Sequence, residues 1–332
     1  MAEFLFTCQP GAERYALAEL RAVASGMSMP GWIVPGVASV GTNADLTGWH
    51  ADPPIFVRHI CPIDIRIPWS DGAPDAAYRY AAGVSGGHSS ISIQPRALAQ
   101  GGDRGAVLDA LHRAVQDASA EAIGTPCYAL SVAFTRDGML LGFSETAENI
   151  SPWPGGCRPF ARTDDMVNRS EFKLLEALES FKALKTLPGG RALDLGGAPG
   201  GWTRVLRKLG MLVTAIDPAE LDGRVADDHG VTHIRTTARK FLSEYNGPPF
   251  DLLTNDMKMD APLSAEITVL ASAVLSPGAP VVLTLKMPGR DWAGCVRKAR
   301  QTLLQAFGRF EARQLFHNRR EVTCAAIYCG QL

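Results

Sequence analysis

Lysine is missing from the first half of this chain. The first one is Lys173, and residues 1–157 hold nine arginines against fifteen acidic residues, a balance of −6. Residues 158–332 hold 24 Lys and Arg against 19 Asp and Glu, a balance of +5. Two parts with different surfaces are expected, the second better suited to a polyanion, although an excess this modest does not by itself establish nucleic-acid binding. No apolar run reaches transmembrane length, and Met1–Pro10 is too short and lacks the basic start of a signal peptide. A cytoplasmic protein with no membrane partner is therefore expected, and a monomer is favoured. The seven cysteines (Cys8, Cys61, Cys127, Cys157, Cys295, Cys324, Cys329) form no CxxC pair and no histidine-flanked cluster, which suits reduced thiols and offers no metal site. Internal repeats are absent too.

What is present centres on Arg191–Asp217, RALDLGGAPGGWTRVLRKLGMLVTAID. Ala192–Leu195 has the length of a buried strand, a small-residue turn runs from Gly196 to Gly201, and Val205, Leu206 and Leu209 mark one side of a helix. Gly210 ends that helix, and Met211–Ile216 is a second buried strand closing on Asp217. This is a β-α-β unit whose glycines would let a ligand approach the backbone. Asp217 stands where nucleotide-binding α/β folds set a carboxylate against ribose hydroxyls.

Two cofactors suit such a turn. A dinucleotide asks for G-x-G-x-x-G and the amides of a helix N-terminus around its pyrophosphate. Here the turn reads Gly196-x-Ala198-Pro199-x-Gly201, and Pro199 removes one amide and stiffens the loop. S-adenosyl-L-methionine has no phosphate and needs only close backbone approach, ribose contacts and a slot for adenine. The turn favours it over a nicotinamide dinucleotide.

At 332 residues the chain has room for two domains, each with its own core. In residues 1–157 strands are expected at Glu3–Gln9, Trp32–Val40 and Pro54–Ile60, helices at Ala12–Ala24 and Ala106–Ala120, and a hairpin of Tyr128–Phe134 with Met139–Phe143. Asp71–Gly87 and Gln94–Gly105, rich in Gly, Ala, Pro and Asp, are expected to include long loops. The pattern is that of a smaller α+β accessory domain. Ser151–Pro159 has the Pro and Gly density of a linker, which sets the domains at 1–157 and 158–332. In the second, Ser170 is the expected N-cap of a helix over Glu171–Lys185. Strands follow at Val231–Arg235, Phe250–Asn255, Pro280–Leu285, Glu311–His317 and Val322–Cys329, with helices at Ala238–Tyr245, Leu263–Leu275 and Asp291–Phe307. Such alternation predicts an α/β domain with a mostly parallel, doubly wound sheet covered on both faces. The last two strands lie too close for a helical crossover, so one of them is antiparallel.

Four polar residues fall at element ends where core packing does not explain them. Lys173 lies in the first turns of a helix, Asp256 follows the strand DLLTN, Lys286 follows VVLTL, and Glu321 opens the final strand. Ligands of open α/β sheets bind beyond the carboxyl ends of the strands. A lysine closing an apolar strand can simply reach solvent; it is the set of four that carries weight. Trp202 and Phe316 read as packing residues, and His317 as a surface histidine.

In Arg169-Ser170-Glu171-Phe172-Lys173-Leu174, Asp194–Trp202, Asn255-Asp256-Met257, Leu285-Lys286-Met287-Pro288 and Arg320-Glu321-Val322, the chain resembles the FtsJ-like 2′-O-ribose RNA methyltransferases. It is most similar to their RlmM type, which methylates a cytidine ribose in large-subunit ribosomal RNA. The resemblance covers residues 165–329. It implies a Rossmann-like class I methyltransferase with a Lys173, Asp256, Lys286, Glu321 tetrad, Lys286 as the base, and RNA as partner. It also implies cofactor contacts from Ser170, Asp194, Gly196, Ala198, Pro199, Gly200, Gly201, Trp202, Asp217 and Asp256. Thr237 stands where the family carries an acidic contact to adenine. FLFTCQPGAERYALAEL is loosely similar to the ferredoxin-like and THUMP region that precedes the catalytic domain in this type. A transfer-RNA substrate, or a non-catalytic RNA-binding role in ribosome assembly, is the alternative.

Overall fold

Apolar runs between glycine and proline punctuation become strands in a computed structural model that describes residues 1–24, 26–43, 49, 52–88, 90–118, 126–184 and 189–330. The chain divides into two units, Met1–Arg158 and Pro159–Leu332.

The first unit runs β1 (Ala2–Thr7), α1 (Glu13–Val23), β2 (Gly31–Val34), β3 (Val37–Thr42), β4 (His59–Pro62), β5 (Ile65–Pro68), α2 (Ala73–Ser85), β6 (Ile91–Ala97), α3 (Arg104–Ala118), β7 (Tyr128–Phe134) and β8 (Gly138–Glu145). It holds two four-stranded sheets, ordered β2-β3-β1-β4 and β5-β8-β7-β6. All pairings are antiparallel except β6 with β7. Leu5, Val37 and Cys61 from the first sheet, with Ile63 just after β4, pack with Ala133 and Leu140 from the second. Helices α2 and α3 bury Ala73, Ala77, Ala81, Val107, Leu111 and Ala114 against Leu130, Val132 and Phe134.

Several expectations change here. The strand expected over Trp32–Val40 is a hairpin, because Gly36 turns the chain at φ +77° and a Cβ there would lie 2.6 Å from the Cys8 carbonyl. Pro54–Ile60 is mostly not a strand: the amides of Ile55, Phe56 and Val57 all donate to the Glu19 carboxylate, leaving none for a ladder. Asp71–Gly87 is not a loop but α2, whose alanines at i and i+4 let α3 approach closely. Gln94–Ala97 belongs to β6, an edge strand, where Pro95 is tolerated. Ser151–Cys157 is not a free linker, since Thr7 donates to the Gly155 carbonyl and Gly155 packs against the Arg96 guanidinium. The ends of two expected helices, residues 119–120 and Lys185, lie outside the described residues.

The second unit runs α4 (Glu171–Ser180), β9 (Arg191–Leu195), α5 (Gly201–Lys208), β10 (Leu212–Ile216), α6 (Gly223–Ala226), β11 (Val231–Ile234), α7 (Ala238–Glu244), β12 (Leu252–Asn255), α8 (Ala261–Ala271), β13 (Pro280–Lys286), α9 (Trp292–Leu303), β14 (Phe307–Arg313) and β15 (Glu321–Tyr328). Its seven strands are ordered β11-β10-β9-β12-β13-β15-β14, parallel throughout except for β15, which is antiparallel to both neighbours. Leu174, Ala177, Trp202, Val205 and Leu206 of α4 and α5 pack on Ala192, Val213, Leu252 and Val282. Strand alternation sends Leu193, Leu253, Val281 and Leu283 to the opposite face, and all four are fully buried, so both faces are covered. Strand order reverses between β9 and β12, the switch point where crevices open in such sheets.

The strand expected at Glu311–His317 lies four residues earlier, with a register shift between Gly308 and Glu311. Leu315–His317 form a loop instead, because the Phe316 and His317 amides donate to Glu176.

In the first unit β4 crosses β8 so closely that a Cβ on Gly142 would lie 1.9 Å from the Pro62 carbonyl oxygen. Gly142→Ala is expected to destabilise the chain by about 1–3 kcal/mol or more through overpacking, read as a lower denaturation midpoint. A midpoint matching the parent would show that the two strands separate freely.

Candidate active site

Beyond the carboxyl end of β9 the chain enters the turn Gly196–Gly200, with Gly196 at φ +79° and Gly200 at φ +118°. The space beside each glycine is already filled. A Cβ on Gly196 would meet Met257, on Gly197 Ala215, on Gly200 Val225, and on Gly201 the Asn168 and Ser170 side chains. These glycines let the turn pack closely against its own protein. Asp194 lies under the turn, 1% exposed, where its carboxylate accepts hydrogen bonds from Thr203 at 2.6 Å and Thr254 at 2.8 Å. It supports the turn from below. Trp202 is buried and its indole donates to the Ser170 carbonyl at 2.9 Å, tying α5 to the start of α4. The Ser170 hydroxyl donates to Asn168 and makes no cap on α4, contrary to the N-cap expectation.

Asp217, half-buried at the tip of β10, accepts from the amides of Ala198 (3.2 Å) and Ala219 (2.8 Å). A carboxylate has about four lone-pair directions, so two remain for a ligand's hydroxyls. Pro199 faces solvent with no amide to offer an anion. The donor set, a carboxylate beside a turn with no phosphate cradle, fits a nucleoside carrying positive charge. Thr237 is exposed and accepts from the Lys240 amide as the N-cap of α7.

The four polar residues at element ends converge. Asp256 follows β12 and accepts from Lys173 Nζ at 2.8 Å through Oδ2, and from Lys286 Nζ at 2.6 Å through Oδ1. Glu321 accepts from the same two lysines, at 3.0 Å each through separate oxygens. Sheet register explains part of this. β13 and β15 pair with Lys286 directly opposite Glu321, so these side chains share one face of the ladder. Thr284, two residues before Lys286 and on the same face, accepts from Lys286 Nζ at 2.8 Å and donates to Asp256 Oδ1 at 2.5 Å. All three Lys286 N–H groups thus have acceptors. Each of the four charged side chains keeps 12 to 20% of its surface open, so the cluster is lodged in a wall, not sealed in the core.

Helix α4 supplies more than Lys173. One turn on, buried Glu176 accepts from the Phe316 and His317 amides at 2.8 and 2.9 Å, fixing the loop that leads into Glu321. The Phe172 and His317 rings lie 5.1 Å apart, so His317 is part of a packed aromatic group with Phe160. Phe316 is 38% exposed, against the expectation of packing. Thr284, Glu176, Thr203 and Thr254 did not stand out in the sequence. Only Thr284 carries a usable signal, its i−2 spacing from Lys286 on a strand.

Burial pulls the Lys173 ammonium toward neutrality, but the charges of Asp256 and Glu321, with their hydrogen bonds, outweigh it and raise its pKa. Asp256 shows the mirror balance: burial favours the acid, yet the two lysines hold it below the usual carboxylate range. Asp194 has no cation. Burial raises its pKa to about 6 against the opposing Thr203 and Thr254 hydrogen bonds. The folded state then holds this proton more tightly than the unfolded chain, so the Asp194 contribution to stability falls as pH rises from about 4 to about 6. The loss is of order 3 kcal/mol. Asp194→Asn is expected to remove it, so the variant gains on the parent between pH 4.5 and 7.5 in paired denaturation curves. Curves that stay parallel would show Asp194 titrating normally.

Among the described residues no group of three His, Cys, Asp or Glu could hold a metal ion, and no helix is long and apolar enough to cross a membrane. Residues 166–321 match the family model of the FtsJ-like methyltransferases. A protein named ribosomal RNA large subunit methyltransferase M from Halorhodospira halophila is 35% identical over 176 residues, 52% of this chain and 51% of that protein. One of the same name from Azoarcus sp. aligns over 95% of this chain and 93% of its own length at 26% identity. The chain spans about half the length of the more identical curated relatives it matches. Among solved structures, TrmN from Thermus thermophilus aligns over 99% of this chain and 100% of its own at 17% identity and a TM-score of 0.40. Residues 166–321, just under half of the chain, are thus similar to the FtsJ-like methyltransferases, and S-adenosylmethionine is the cofactor that this similarity implies.

Proposed function

We propose that this chain methylates RNA at a ribose 2′-hydroxyl, with a cytidine of large-subunit ribosomal RNA as target. The observation that carries the reading is the meeting of Lys173, Asp256, Lys286 and Glu321 at the carboxyl ends of β12 and β13, beside the turn after β9. The relatives named for ribosomal RNA support the choice of RNA. Residues 1–157 act in this reading as a THUMP-like accessory region for RNA.

A ribose hydroxyl is very weakly acidic, so its oxygen needs a proton acceptor as it attacks. S-adenosylmethionine supplies an electrophilic methyl on a sulfonium. Asp217 would accept from the cofactor's ribose hydroxyls, and Asp256 would supply negative charge near its sulfonium. Lys286, in its neutral form, takes the substrate proton. Asp256 and Glu321 both face Lys286, and both also bond Lys173, whose raised pKa keeps it an ammonium. Holding the oxygen and the methyl in line contributes much of the acceleration.

Lys286→Ala is expected to reduce methyl transfer by roughly 100-fold or more while leaving the cofactor Kd nearly unchanged. Transfer of labelled methyl to RNA and calorimetry check the two halves, and parent rates would remove Lys286 as the base. Asp217→Ala is expected to weaken cofactor binding by ~10-fold, the loss of hydrogen bonds to a charged group. An unaltered Kd would remove the ribose assignment. Mapping ribose methylation in cells with and without the gene would identify the nucleotide.

A further inference from the structure

The two lysines of the cluster are held differently. Lys173 donates only to carboxylates, Asp256 through both oxygens and Glu321. Lys286 donates to one oxygen of each carboxylate and, for its third proton, to the neutral hydroxyl of Thr284. Thr284 has no exposed surface, and its own proton goes to Asp256 Oδ1, the oxygen that Lys286 also uses. Thr284, Lys286 and Asp256 therefore form a closed triangle of hydrogen bonds with edges of 2.8, 2.6 and 2.5 Å.

We propose that Thr284 is a positioning residue for methyl transfer, acting through Lys286 and Asp256 without touching substrate. The inference rests on the reading of Lys286 as the base. An amine bonded to two carboxylates can still swing about the line joining them; a third acceptor outside that line fixes its direction. Thr284 is that acceptor, and strand alternation places it there, since residues 284 and 286 of β13 share a face. The same hydroxyl fixes the rotamer of Asp256 by donating to it. A hydroxyl can accept and donate at once, which the surrounding Val282, Leu283 and Leu285 cannot do. A threonine in the buried, otherwise apolar run Pro280–Leu285 costs solvation unless both its bonds are made, and here both are.

Two substitutions separate the hydroxyl from the packing. Thr284→Val keeps the shape and removes the hydroxyl; Thr284→Ser keeps the hydroxyl and removes a methyl. Positioning predicts that Val lowers kcat by roughly tenfold or more, with KM for RNA and cofactor within ~2-fold, while Ser retains most of the parent kcat despite a lower melting temperature. Parent kcat in the folded Val variant, or a Ser variant as impaired as Val, would overturn the assignment. Lys286→Ala is run alongside. If it is inactive while Val is fully active, only the Thr284 inference fails; if it is active, the reading of Lys286 as base fails and the inference with it.

Discussion

Asp256 is where the second unit's chemistry is tied together. One carboxylate accepts from two lysine amines and a hydroxyl, delivered by two elements: Lys173 by α4, Lys286 and Thr284 by β13. A buried carboxylate without cations would take up a proton; with two it stays charged, and its pKa falls. Glu321 repeats the arrangement from β15, so the four charges sum to zero in a partly desolvated wall. Removing any one member would leave a net charge there, which costs more than the pairs themselves contribute.

The contrast with Asp194 shows how local this balance is. Asp194 ends the neighbouring parallel strand, with Thr254 as its cross-strand partner, yet it meets only hydroxyls. Burial then dominates and its pKa rises. Two aspartates on adjacent strands thus take opposite parts, one as the charged centre of the cluster and the other as the support under the turn.

Much of this site was legible in the sequence because strand ends are legible. Apolar runs such as VVLTL and DLLTN set where β13 and β12 stop, and the next polar residue had to stand at the sheet edge. What escaped reading depends on which strands become neighbours. Thr284 looks like one more β-branched residue until Asp256 is brought beside it, and Glu176 looks like a solvated helix charge until the 316–317 amides arrive. The glycines of the turn also have a packing role that their number does not reveal: Met257, Ala215 and Val225 lie where a Cβ would stand. In the first unit, the alanine and glycine content of residues 71–87 suggests loops, while the same small residues permit tight pairing of α2 with α3. Glu19 converted an expected strand into a loop by capturing three consecutive amides, something no local propensity encodes.

The antiparallel match of β13 with β15 has a further consequence for how this chain tolerates change. Because neighbouring side chains alternate in direction, sliding β15 by a single step would turn Glu321 away and set an aliphatic chain or a bare strand end across from Lys286. Insertions in the 314–320 connection are therefore harmless only if the strand that follows still docks in its present alignment. The hydrogen-bonded fastening of that connection to α4 is what keeps the alignment from drifting.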